Sequence, residues 1–151
     1  MSAASFTLRL YQAADEDTAI ELWRRTWQIA YPRLDFTARL DWWRQRWRNE
    51  LAPTATITVA ESDGQLVGFV TVDPGTRYLD QIVVAPEAWG STVAGALLAE
   101  AKRLSPAGLD LAVNADNGRA IRFYEKQGFV VTGTDVNPRS GAPIRKMAWR
   151  P

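Results

Sequence analysis

The residues best suited to chemistry follow the apolar run Gln81-Ile82-Val83-Val84, where the chain reads Ala85-Pro86-Glu87-Ala88-Trp89-Gly90-Ser91-Thr92-Val93-Ala94-Gly95. Pro86 cannot donate a ladder hydrogen bond and so ends a strand. Gly90 permits a positive φ and the close approach of a ligand. Ser91 and Thr92 are natural helix caps, and the first N–H groups of the helix after them have no intrahelical partners. Such N–H groups, at the positive end of a helix dipole, hold an anionic phosphate ester without any basic side chain. The loop indeed has no lysine or arginine. An ordinary capped turn from strand to helix has the same residues, and this segment alone does not separate the two.

The chain has no histidine and no cysteine. That excludes a Ser-His-Asp triad, a cysteine nucleophile and the common zinc sites, so no metal is expected. A general base has to be a carboxylate, a tyrosine, a lysine or a chain of waters. The net charge of +1 supplies no global field toward nucleic acid or a membrane surface. No apolar run reaches the length of about eighteen residues that a membrane span needs. The opening MSAASFTLRLYQ lacks the basic-then-apolar layout of a signal peptide, and a cytoplasmic location is expected. The 151 residues suit a single domain, 1–151.

The elements that must position the loop follow from periodicity. TLRLY alternates as an opening strand. A helix follows, with Asp15, Glu16 and Asp17 at its start and an apolar stripe of Ile20, Trp23, Trp27 and Ala30, until Pro32 ends it. A second helix is expected from about Asp35 to Asn49, with Leu40, Trp43, Trp47 and Leu51 on one face. Asp63-Gly64 marks the turn of a hairpin within TATITVAESDGQLVGFVTVD. TRYLDQIVVA is the next strand, followed by a helix from about Ser91 to Leu104 that buries Val93, Leu97, Leu98, Ala101 and Leu104. GLDLAVN, GRAIRFYEKQ, GFVVTGTDV and PIRKMAWR then read as strand, helix, strand, strand. The order β-α-α-β-β-β-α-β-α-β-β is a mixed α/β sheet with helices packed on it.

In this order, 114-NADNGRAIRFYEKQGF-129 resembles the Asn-x-x-Asn-x-x-Ala-x-x-Phe-Tyr-Glu-Lys-x-Gly-Phe signature of the GNAT superfamily of acyl-CoA-dependent N-acetyltransferases. Nearly the whole chain follows that family's element order. The resemblance implies the GNAT fold, a central, mostly antiparallel sheet flanked by helices, with acetyl-CoA as co-substrate. Its phosphate-loop pattern, Gln/Arg-x-x-Gly-x-Gly/Ala, falls on Trp89, Gly90, Ser91, Thr92, Val93 and Ala94. Trp89 stands in the Gln/Arg place and Thr92 where a glycine is usual; Ala94 fits. The cofactor-binding residues implied are these six with Ile82, Val83, Val84, Asn114, Asn117 and Tyr124.

Direct acetyl transfer to an amine makes three demands. The amine must lose a proton, the developing oxyanion needs an N–H donor, and the departing thiolate needs a proton. A phenol, with a pKa of roughly 10, is protonated at neutral pH and can give its proton to a thiolate; the resemblance assigns this role to Tyr124. Packing in the core and helix capping are the plainer readings of Tyr124 and Asn117. A backbone N–H near Ile82 to Val84 is the oxyanion donor implied. For the base, Asp80 is the candidate, with Asp73 beside it; each is equally a hydrated carboxylate at a strand end.

The run LDWWRQRWRNE mixes tryptophan with arginine in the manner of a nucleic-acid surface. Trp43 and Trp47 belong to the buried stripe, however, and the arginines suit the remaining face with their heads in water. No nucleic acid and no membrane are expected as partners. Trp27, Tyr31, Trp42 and Gln81 are candidate contacts to the acceptor, an amine on a small molecule or a peptide. A fold-retaining acyl-CoA-binding or sensory module without turnover is the alternative. A homodimer through the closing strands is possible on this pattern.

Overall fold

The structure is a computed structural model that describes residues 5–151; the first four positions of the stretch read above for targeting lie outside it. The strands are β1 (Thr7–Leu10), β2 (Thr56–Ser62), β3 (Gln65–Asp73), β4 (Tyr78–Val84), β5 (Leu109–Asn114), β6 (Val130–Val136) and β7 (Pro143–Trp149). They form one sheet in the order β1-β2-β3-β4-β5-β7-β6, in which β4 and β5 run parallel and every other pair is antiparallel. Asp63 (φ 52°) and Gly64 (φ 76°) make the β2–β3 turn that their types specify.

The first helix, α1 (Glu16–Ala30), keeps its acidic first turn and buries the first half of the expected stripe, Ile20 and Trp23, but not its end. Ala19, Ile20, Leu22, Trp23 and Thr26 are buried, Trp27 is half-buried and Ala30 is exposed. The last turn runs past the sheet, so its residues meet solvent and neighbouring aromatics instead. The second helix also departs from expectation. α2 (Leu40–Arg46) passes through a π turn (Trp47–Leu51) into one further turn, α3 (Ala52–Thr54), and so ends beyond Asn49. Side chains four apart drift by about 40° per step around an α-helix. The wider π turn offsets that drift and keeps Trp43, Trp47 and Leu51 buried together. Pro53, which has no N–H to give to the preceding turn, stands just after it.

The helix α4 (Val93–Leu104) lies on one face of β2, β3 and β4, and α1 on the other face of β3 and β4. Two cores result. Val70, Val72, Leu79, Leu97, Leu98 and Ala101 belong to the first, which α5 (Gly118–Lys126) completes with Ile121 and Tyr124. Trp23, Trp43, Trp47, Phe69 and Val83 belong to the second. Leu79 and Val83 are four apart and would share a face in a plain strand. They do not, because Thr71 pairs with Gln81 while Val72 pairs with Leu79, leaving Asp80 as an extra, bulged residue. A bulge bends its strand and increases its twist.

Directly beyond this point β4 and β5 separate. Their one ladder pair is Tyr78 with Asp110, joined by the bond from the Asp110 N–H to the Arg77 carbonyl (2.9 Å). On the first face, α4 can approach β3 because position 68 is glycine. A Cβ there would stand 2.9 Å from the Val83 carbonyl oxygen and 3.0 Å from Leu97 Cδ1. Gly68→Ala is therefore expected to destabilise the fold by about 1–3 kcal/mol through overpacking. Urea unfolding checks this, with a lower midpoint and an unchanged slope expected.

Candidate active site

Donors on a strand in an antiparallel ladder point alternately to its two neighbours. The Ala85 N–H donates to the Val67 carbonyl on β3 (2.8 Å), so the N–H groups of Ile82 and Val84 point to the opposite edge, from which β5 has withdrawn. Val83 is the one residue of the expected trio that does not qualify. Its N–H faces β3 and its side chain is core. The Val84 carbonyl, on the open edge, accepts from Trp89 Nε1 at 2.7 Å.

That bond fixes the loop to the strand end. Gly90 has φ 80°, so the demand for glycine falls there. Thr92, where the family pattern has glycine, sits at φ −84°, ψ 0°, a conformation open to any residue, with an exposed side chain. The helix starts at Val93 rather than Ser91. Thr92 makes no side-chain cap, while Ser91 Oγ accepts from the Val93 N–H (3.3 Å) and donates to the Ala88 carbonyl (2.6 Å). The N–H groups of Gly90, Thr92, Ala94 and Gly95 find no acceptor among the described residues. Unpaired backbone donors gathered on one loop at a helix start fit a diphosphate ester, so this loop and the open edge of β4 are where a CoA molecule's pyrophosphate and arm would be held.

The helix α5 brings Tyr124 into the first core between Phe123 and Phe129, with ring centroids 5.4 Å away in both cases. Burial alone pushes its phenol pKa well up; the hydroxyl oxygen is not among the fully buried unpartnered atoms and makes no hydrogen bond to another described residue. Asn117 caps α5, its Oδ1 accepting from the Ala120 N–H at 3.2 Å. Arg119, in the first turn of α5, lays its guanidinium over the Trp89 ring, 4.3 Å from the centroid.

Asn114 does not stand free as a cofactor contact. Its Nδ2 donates to Tyr31 Oη (3.2 Å), which in turn donates to Asp116 Oδ1 (3.0 Å). Tyr31 stacks on Trp27 (5.7 Å), so two of the expected acceptor contacts do meet, at the end of β5. Trp42 lies under Arg139 from the β6–β7 turn (4.0 Å). Gln81 donates from Nε2 to Asp80 (3.2 Å).

Asp80 itself departs from its expected role. Both its oxygens accept from the Arg46 guanidinium (2.8 and 2.5 Å), so its lone pairs are committed to an ion pair rather than open to a substrate proton. The neighbouring Arg44 and Arg48 keep their heads at the surface, as expected, but are ion-paired there. Arg44 and Arg48 bind Glu16, and Arg44 also binds Asp17, because α2 packs against the acidic start of α1. The pairs among Arg46, Arg119, Arg139 and their partners join residues distant in sequence, and no spacing signals them. Arg119 alone carries a hint, since a cation in the first turn of a helix opposes the dipole.

A phenol held neutral by burial affects alkaline stability. An unfolded tyrosine ionises near pH 10, while the native Tyr124 keeps its proton, so stability that is full below that pH is lost as pH rises above it. Thermal unfolding of wild type and Tyr124→Phe is expected to show a steeper fall of Tm for wild type between about pH 9 and 11.

Comparison with known proteins agrees with this geometry. The model of the Acetyltransferase (GNAT) family matches residues 17–129. YiaC of Escherichia coli (strain K12), a peptidyl-lysine N-acetyltransferase, is 29% identical over 145 residues, 94% of this chain and 95% of its own. The solution structure of apo-form YjaB from Escherichia coli superposes with a TM-score of 0.79 at 25% identity, covering 96% of this chain and 97% of its own. The PaiA N-acetyltransferase of Thermoplasma acidophilum, solved in complex with coenzyme A, gives 0.77 at 22% identity, over 97% and 99% of the two chains. With three quarters of its length matched by the family model, the chain belongs to the acetyltransferase (GNAT) family and is an acetyl-CoA-dependent acyltransferase.

Proposed function

We propose that the protein moves the acetyl group of acetyl-CoA to a primary amine by direct attack in a ternary complex. The carrying observation is the placement of Tyr124 on α5 within the family signature, a phenol that is protonated at neutral pH and whose hydroxyl makes no hydrogen bond to another described residue. The reaction forms a C–N bond and breaks the thioester C–S bond, while the amine gives up one proton to solvent water and the departing sulfur takes one from Tyr124. Tyr124 Oη supplies the proton to the sulfur. The N–H groups of Ile82 and Val84, on the edge that β5 leaves open, donate to the carbonyl oxygen as negative charge grows there. The loop N–H groups of Gly90, Thr92, Ala94 and Gly95 bind the diphosphate.

The amine is that of a peptide lysine or of a small molecule. A peptide lysine is favoured by relatives such as YiaC, named for that substrate. Trp27, Tyr31, Trp42 and Gln81 wall the acceptor side in this reading. Asp80, committed to Arg46, orients Gln81 and does not take the amine's proton.

The first test is release of free CoA thiol from acetyl-CoA in the presence of lysine-containing peptides. Tyr124→Phe is expected to lower kcat by about 10²- to 10⁴-fold, the usual worth of a general acid, with CoA affinity kept. Unchanged turnover in that variant would remove Tyr124 from the mechanism.

Asp80→Asn serves as the complementary test, read from the pH profile of kcat/KM. The acidic limb is expected to stay where it is in wild type. Its disappearance would restore Asp80 as the base.

A further inference from the structure

We infer that Arg119 is the cationic ligand of the CoA pyrophosphate, supplied from α5 to a loop that has no basic residue of its own. The inference rests on the acetyl-CoA reading above and goes beyond it by naming a residue outside the loop. Trp89 is anchored at its indole nitrogen to the Val84 carbonyl (2.7 Å), and so offers a fixed ring next to Gly90. The Arg119 guanidinium lies over that ring at 4.3 Å. A cation–π contact of this kind uses none of the guanidinium N–H groups, which stay free to donate in the fork geometry that suits phosphate oxygens.

The surrounding charges support the same reading. Eight arginines pair with carboxylates, whereas Arg33, Arg39, Arg77, Arg119, Arg122, Arg139 and Arg145 do not among the described residues. Of these unpaired cations, Arg119 is the one that lies over Trp89, next to the loop. It also stands in the first turn of α5, where no acidic side chain offsets the dipole. A cation there is unfavourable unless an anion shares the site. The unpartnered N–H groups of the adjoining loop attract that same anion. Because Arg119 is seated on the residue before Gly90, the oxygens in reach are those bound by these N–H groups, which makes the pyrophosphate rather than the ribose phosphate the partner.

Calorimetric titration of wild type, Arg119→Ala and Arg119→Lys with CoA and with dephospho-CoA tests this. Arg119→Ala is expected to weaken CoA binding about tenfold or more, the worth of a hydrogen bond to a charged group. Lysine, which keeps charge but not the planar fork, is expected to recover only part of it. The loss should be equal with dephospho-CoA, which lacks the ribose phosphate. A loss seen only with CoA would overturn the pyrophosphate assignment. Affinity unchanged in Arg119→Ala, with a lowered Tm, would reduce the stack to a structural clasp and overturn the inference. No binding of CoA by wild type would strike the acetyl-CoA reading itself, a result distinct from either.

Discussion

The rest of this structure depends on β4 and β5 sharing a single ladder pair and then parting. A strand inside a sheet satisfies its backbone on both edges. β4 does so only toward β3, and its other edge is left with donors that no protein group takes up. The bulge at Asp80 sits at the parting point and turns the strand, so that Leu79 and Val83 fill different cores. A sheet that held β4 and β5 together to their ends would be more fully hydrogen-bonded and would have nowhere to bind an acyl chain.

The two halves of the sheet are joined through the first core, where Leu97, Leu98 and Ala101 of α4 share one cluster with Leu109, Leu111, Ile121 and Met147. Side-chain contacts also cross the opening. Tyr31 at the end of α1 meets Asn114 and Asp116 beyond β5, Arg119 of α5 lies on Trp89, and Arg139 of the β6–β7 turn lies on Trp42. Each joins an aromatic ring of one half to a polar side chain of the other. Exposed contacts of this sort contribute little to global stability, roughly 0.5–1 kcal/mol for a surface cation–π pair. Their consequence is geometric, since they fix the loop after β4 and the aromatic residues of α1 and α2 relative to β5, α5 and the β6–β7 turn.

Charge is arranged to the same end. Asp80 and Arg46 are largely shielded from solvent and face each other in a two-point pair, a geometry that fixes direction as well as distance. Arg44 and Arg48 tie α2 to the first turn of α1. The positive surface suggested by the arginine-rich run is thereby consumed inside the molecule. Tyr124 is treated in the opposite way, its ring surrounded by apolar groups that raise the phenol pKa.

Much of this was legible in the chain itself. Local rules specify their own structure, which is why the Asp63-Gly64 turn, the break at Pro86, the positive φ of Gly90, the cap at Asn117 and the order of strands and helices all follow from residue type and period. The signature around Tyr124 named the family for the same reason, being contiguous. What the chain could not disclose is whatever joins distant positions. Asp80 reads as a free carboxylate until Arg46, 34 residues away, is folded against it. Thr92 reads as a departure from the family pattern until the backbone shows that the positive φ falls at Gly90 instead. The π turn that carries α2 past Asn49, and the placement of Arg119 over Trp89, are set by packing between elements. Backbone conformation and periodicity are written in neighbouring residues, whereas the pairing of charges and the parting of two strands exist only once the elements have been brought together.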